Sequence, residues 1–249
     1  MGQRTDRSAD RTRAQRRRES TAAADSFSPK TTALWFSTIF AIALLLRFAH
    51  LWQIEAMPLF YNLAGDGRTY DEWAQRIAAG DWLGSGVFYQ APLYPYFLAL
   101  WQFVFGHNLW LIRFLQILLG ALSCALLFLV GDKLFSRSAG IAAGLVLALY
   151  APAIFFDALI EKSILDLTLL CLMLCLLVNV GRTRSLMKWL GVGALLGLLG
   201  LSRENALILA PLVAIWIFVE LPREPPALRA RWLGCFLAGL LFVLVPVGL

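Results

Sequence analysis

Three short segments of this chain carry side chains able to do chemistry. "AGDGRTYDEWAQRIAAGDW" (64–82) places Asp66, Asp71, Glu72 and Asp81 beside Arg68 and Arg76. "FFDALIEKSILD" (155–166) holds Asp157, Glu161, Lys162 and Asp166, and "GLSRENALILAP" (200–211) sets Arg203 next to Glu204. Carboxylates of this kind can accept a proton or orient a hydroxyl, and guanidinium or ammonium groups can hold an anion. The cysteines offer no such chemistry. Cys124, Cys171, Cys175 and Cys235 all fall in apolar runs without CxxC or His-rich spacing, and they read as small core residues. No metal site and no cofactor is expected from the spacing.

The elements that must position these groups are membrane helices. The 249 residues are 59% hydrophobic and 15% charged, too apolar for an ordinary soluble domain. The first 30 residues are rich in Arg, Ser, Asp and Ala and cannot bury enough surface to fold, so residues 1–30 read as a disordered basic tail. A nucleic-acid role for the tail is disfavoured, because it lacks interleaved aromatics and adjoins a span. Residues 31–249 read as one transmembrane unit, all-α and polytopic, with about seven spans. These are 31–54, 109–130, 139–156, 163–180, 189–202, 205–219 and 232 to the end, the first long enough for a hydrocarbon core of roughly 30 Å. The chain stops inside an apolar run, which reads as an N-terminal fragment.

Orientation follows from charge. The tail and the segments 132–137, 181–188 and 221–231 together hold 16 of the 22 Lys and Arg, and placing all four inside satisfies the positive-inside rule. The chain then lies in the plasma (inner) membrane with a cytoplasmic N-terminus. The apolar stretch 92–106 must stay on the outer face as an interfacial or re-entrant helix, and residues 55–108 form an outer loop.

Within that loop Tyr70, Trp73, Ala74, Ile77 and Ala78 recur at helical spacing, so an amphipathic helix is expected along the membrane surface. "TYDE" (69–72) matches a capping box with Thr69 as N-cap, and Gly80 can end the helix. Asp71, Glu72 and Arg76 read as its solvated face. Asp66, flanked by glycines, is expected in a tight exposed turn, either as an Asx-turn or as a functional carboxylate. Asp157, Glu161 and Lys162 lie at the outer ends of two spans, and Asp166, one turn deeper, needs a polar cavity or a partner. Arg203 points to the same face, pairing locally with Glu204 or serving an anion, and Arg113 lies near the outer start of its span.

An ordered set of residues carries a resemblance: Asp66, Tyr70 and Ala74, then "GDW" (80–82), "APLYPYFLAL" (91–100), "FG" (105–106), Arg113, "LF" (134–135), "LYAP" (149–152), Glu161, and Leu201, Arg203 and Asn205. Taken together it resembles the GT-C membrane glycosyltransferases, in particular bacterial relatives of dolichyl-phosphate-mannose protein mannosyltransferases and of the lipid A aminoarabinose transferase. The resemblance runs from about residue 33 to the end. It implies a transferase that moves a sugar from a polyprenyl-phosphate donor to a protein, lipid or polysaccharide acceptor at the outer face. Two departures stand out. Asp66 is followed by Gly67 where the family often has a second carboxylate, and Gln90, Ala91, Pro92 and Leu93 stand where the aminoarabinose branch has a lysine-containing "KPPL".

The resemblance implies Asp66 as general base, with Glu161, or failing it Asp157, orienting acceptor or sugar. Arg203, Lys162 and Arg68 would hold the phosphate, with Tyr70, Arg113 and Gln90 as further substrate contacts. Partners are then the lipid-linked donor, an acceptor and membrane lipids. A transporter or non-catalytic lipid-handling protein is the competing class, but the charges cluster on one face rather than at the midplane and the chain shows no two-halves repeat. A cysteine at position 84 or 85 is expected to react with an impermeant thiol reagent applied outside, and one at 135 or 184 is not. Labelling of 184 from outside would reverse the arrangement.

Overall fold

The computed structural model describes residues 29–82, 90–180, 185–219 and 224–248; of the expected tail 1–30, residues 1–28 lie outside them and Pro29 and Lys30 instead begin the first helix. Among the described residues ten α-helices run in order: α1 (Pro29–Ile54), α2 (Gly65–Ala78), α3 (Leu93–Phe105), α4 (Leu109–Leu134), α5 (Arg137–Leu149), α6 (Ala151–Asp157), α7 (Ser163–Val180), α8 (Leu186–Ser202), α9 (Leu209–Val219) and α10 (Pro226–Gly248). Short 3-10 turns at Pro58–Phe60 and Glu204–Ile208 complete the set. No strand occurs among the described residues.

Four helices, α1, α4, α7 and α10, are long and apolar enough to cross a membrane, and α5 with α6 makes a fifth if that pair, bent by 58°, is one span. The bend falls at Tyr150, the N-cap of α6, just ahead of Pro152, which lies in the first turn of α6 where a missing N–H costs nothing. The expected spans 189–202 and 205–219 correspond to α8, of 17 residues, and to a 3-10 turn followed by the 11-residue α9. Arg203, extended at φ −145° and ψ 101°, separates them. At 13 residues, α3 rises only about 20 Å and is shorter than a span.

Helix α4 is the axis of the molecule, packing on α1, α5 and α7. Between apolar helices in lipid, close packing must supply what the hydrophobic effect does not, and small residues let backbones approach. Gly131 and Gly140 bring α4 against α5: a Cβ on Gly131 would lie 2.7 Å from the Gly140 Cα. On the far side, Gly193 of α8 and Gly239 of α10 make a reciprocal contact, each with its carbonyl neighbour on the other helix, Phe236 and Leu190. Asn108 and Ser136 cap α4 and α5 by accepting from the N–H groups of Leu111 and Ala139.

A Cβ at position 193 would sit 1.9 Å from the Phe236 carbonyl oxygen, whereas one at Gly234, on the same partner helix, would meet nothing within 4 Å. Gly193→Ala is therefore expected to destabilise the protein by about 1–3 kcal/mol, as overpacking does, while Gly234→Ala is neutral or slightly stabilising. Thermal unfolding in detergent checks this, and equal midpoints for the two variants would refute the close contact.

Candidate active site

Helix α2 begins a full turn earlier than its capping pattern suggests. Gly65, at φ 59°, turns the chain into the helix, Ala64 is the N-cap, and Thr69 lies inside, its hydroxyl donating back to the Gly65 carbonyl. The capping box expected at Thr69 is thus not formed, and Glu72 instead accepts from Arg68 at 2.7 Å on the exposed side. Asp66 consequently sits in the first turn of α2 rather than in a free loop, where a helix favours an acidic residue. Tyr70, one turn on, is buried, as are Ala74 and Ile77, so the expected apolar stripe does face inward.

Asp71 departs from its expected place on the solvated face. It is 6% exposed and accepts from Gln102 of α3 and from Gln75, both at 2.8 Å, while His107 Nε2 lies 2.9 Å away. The cause is α3, which packs along α2 and covers that side of the helix. Gly80, at φ 106°, follows the C-cap Ala79 and ends the helix as expected.

A cleft of about 430 Å³ opens at the start of α2, lined by Asp66, Tyr70, Gln90, Ala91, Glu161, Lys162, Arg203, Glu204 and Asn205. It draws on four parts of the chain: the first turn of α2, the residues just before α3, the link between α6 and α7, and the break after α8. Asp66, Glu161, Lys162, Arg203, Tyr70 and Gln90, six of the residues singled out from sequence, meet here. Glu204 and Asn205 join them; in the sequence Glu204 is marked by its adjacency to Arg203, and Asn205 by its place in the ordered set of motifs.

The other three lie elsewhere. Asp157, at the end of α6, is 2% exposed and bound to Arg47 of α1 at 2.7 Å. Arg68 is engaged with Glu72 in the exposed pair. Arg113, also 2% exposed, donates from Nε to the Ala158 carbonyl at 2.9 Å and lies 4.1 Å above the Phe60 ring. The arginine inside the first apolar run, Arg47, was the available signal for the partner of Asp157, since an intramembrane charge requires one.

Arg203 does not pair with the adjacent Glu204. Its Nε donates to Asp166 at 2.8 Å, and the Ser202 hydroxyl donates to the other Asp166 oxygen at 2.5 Å. Asp166 thereby finds its partner, and the guanidinium, 56% exposed, is fixed at the edge of the cleft. In the same cleft, burial and then the nearby Asp66 charge push the Glu161 carboxyl above its ordinary value, with the Lys162 backbone N–H and the Lys162 and Arg203 charges pulling the other way. Burial, followed by the Glu161, Asp66 and Asp166 charges, pushes the Tyr70 phenol up to about 12, so it remains a neutral hydrogen-bonding group. Three carboxylates, Asp66, Glu161 and Glu204, share one cleft with two cations, Lys162 and Arg203, so the site can both take a proton and hold an anion.

Gly67 gives the missing second carboxylate a physical reason. A Cβ there would lie 3.1 Å from the Ile160 carbonyl oxygen, so the first turn of α2 presses on the segment that carries Glu161. Asp66 and Glu161, distant in sequence, come to line the same cleft.

An acid whose pKa is raised by folding contributes stability below its ordinary value, here 4.5, and loses it as pH rises through the folded value. Glu161→Gln removes that loss. The variant is expected to unfold at a higher temperature than the parent at about pH 7, with the difference vanishing near pH 4. Equal midpoints at both pH values would show that the cleft does not disfavour the Glu161 charge.

Comparison with known sequences fits this arrangement. Residues 89–249 match the family described as dolichyl-phosphate-mannose-protein mannosyltransferase. That stretch contains Gln90, Glu161, Lys162 and Arg203, while Asp66 and Tyr70 precede it. No curated protein and no solved structure matches the chain. The match covers well over half of the sequence, the helices are those of a polytopic membrane protein, and the chain belongs to the dolichyl-phosphate-mannose-protein mannosyltransferase family of membrane glycosyltransferases.

Proposed function

We propose that this membrane glycosyltransferase moves a sugar from a polyprenyl-phosphate donor to an acceptor hydroxyl at the outer face of the inner membrane. The observation that carries the reading is the cleft that brings Asp66 and Glu161 together with Lys162 and Arg203. The acceptor oxygen forms a bond to the anomeric carbon as the bond from that carbon to the phosphate oxygen breaks, and polyprenyl phosphate leaves. Asp66, exposed at the start of α2, takes the acceptor proton. Glu161, whose carboxyl holds its proton to higher pH than usual, orients a sugar or acceptor hydroxyl. Lys162 and Arg203 hold the phosphate as its negative charge develops, Arg203 through a planar fork aligned by Asp166.

The lipid carrier has apolar surroundings on its side of the reaction. Helix α3 exposes Leu100, Phe103, Val104 and Phe105, so it suits a membrane-facing wall beside the cleft. In this reading the residues before α1 are a cytoplasmic tail, α1 onward is the membrane unit, and the segment 55–108 lies outside.

Transfer from a labelled polyprenyl-phosphate sugar in membranes tests the proposal. Asp66→Asn keeps size and hydrogen bonding while removing basicity, and is expected to lower turnover by about 10²- to 10⁴-fold with donor binding retained. Glu72→Gln, in the exposed pair with Arg68, is expected to change it by less than about tenfold. Arg203→Lys keeps charge but loses the fork, and turnover should fall while the protein still inserts. Full transfer by Asp66→Asn at normal expression would refute the assignment of the base.

A further inference from the structure

Asp66 and Glu161 stand on separate pieces of chain, and one buried side chain is bonded to the segment before Glu161 and to a tyrosine that packs on the helix of Asp66. Gln116 of α4 is 0% exposed. Its Nε2 donates to the carbonyls of Asp157 at 3.0 Å and Leu159 at 2.5 Å, the last residues before Ile160 and Glu161. Its Oε1 accepts from the Tyr94 hydroxyl of α3 at 2.5 Å. Tyr94, also 0% exposed, meets Tyr70 edge to face with ring centres 5.1 Å apart, and Tyr70 lies one helical turn from Asp66.

The rest of that face of α4 is directed to the same segment. Arg113, three residues before Gln116, donates to the Ala158 carbonyl, so the carbonyls of residues 157, 158 and 159 are all held by α4 side chains. Gly120, four residues after Gln116, leaves room for the Arg47 and Asp157 ion pair: a Cβ there would lie 2.1 Å from Asp157 Oδ2 and 2.7 Å from Arg47 Nε. A helix end whose carbonyls had no donors would be costly inside an apolar bundle. Satisfying them requires some donor. A single amide that also ties the opposite wall does more, because it fixes the distance between walls.

We propose that Gln116 is a positioning residue that sets the separation of Glu161 from Asp66, holding the first through the Asp157 and Leu159 carbonyls and the second through Tyr94 and Tyr70. This rests on the roles proposed for the cleft carboxylates. Gln116 touches no substrate in this scheme; it acts through the two walls.

The test needs a readout of wall separation that does not depend on transfer. A Cβ at Gly67 would lie 3.6 Å from the Ile160 Cβ, within the range a disulfide requires, so Gly67→Cys with Ile160→Cys should cross-link readily under mild oxidation in membranes. Adding Gln116→Met, which fills the space without donors or acceptor, is expected to slow that cross-linking by about tenfold or more. Without the cysteine pair, Gln116→Met should lower kcat by about tenfold or more with donor KM within about twofold, and should cause no further fall in a Glu161→Gln background. If Gln116→Met does not accumulate, Gln116→Glu serves, since it can still accept from Tyr94 but gives no amide donor to the carbonyls. Unchanged cross-linking, or an effect on kcat that adds in full to that of Glu161→Gln, would overturn the positioning role. Full transfer by Glu161→Gln would instead overturn the role given to that carboxylate, whatever the cross-link shows.

Discussion

The bond between Arg47 and Asp157 is the constraint around which the described helices are arranged. Each group is buried among apolar helices, where a lone charge is costly and removal of one partner leaves the other uncompensated. The pair joins α1 to the end of α6 and fixes where the bent α5 and α6 segment stops. Gly120 of α4 is the site where a side chain is given up so that the pair fits. The link from α6 to α7 inherits that position: Ala158 and Ile160 are buried, and Glu161 emerges from the packed interior at the cleft.

The cleft is a meeting of helix ends rather than a motif. Helix α2 contributes its first turn, α6 and α7 the link between them, and α8 its broken end at Arg203. Each end is held by contacts outside the cleft. Asp71 accepts from Gln75 and from Gln102 of α3, with His107 beside it, and so clasps α2 onto α3 and aims its first turn. Asp166 and Ser202 seat Arg203, joining α7 to the end of α8. A polar site built this way can keep like charges close, because packing elsewhere opposes their separation.

That arrangement explains why the two carboxylates differ. Asp66 lies exposed at a helix start, whereas Glu161 is half-buried and faces the Asp66 charge, which adds to the effect of burial. Burial raises the proton affinity of Glu161, and such an environment is a usual basis for giving one acid of a pair its own role. Gly67, which at first reads as the loss of a family carboxylate, allows the close approach of the first turn of α2 to Ile160, next to Glu161.

Composition and charge-free runs by themselves determined that the protein is a helical, polytopic membrane protein, because the energy of exposing a backbone to lipid permits little else at this hydrophobicity. Period-3.6 patterning likewise determined the buried face of α2, and the order of short motifs determined the family. The candidate residues Glu161, Lys162 and Arg203 were legible because charges at the ends of apolar runs stand out, and Asp66 because glycines flank it and the order of motifs points to it. Only the tertiary structure decided which charges serve the cleft and which serve the fold. Asp157 and Arg113 look equivalent to Glu161 in sequence, yet they are taken by Arg47 and by the Ala158 carbonyl. Asp71 sits on the polar side of a helical wheel and is buried all the same, because α3 covers that side. Gln116 carries no charge and breaks no pattern, so nothing local could mark it. Its partners lie 22, 41 and 43 residues away, and long-range hydrogen bonds of this kind exist only once the helices have packed.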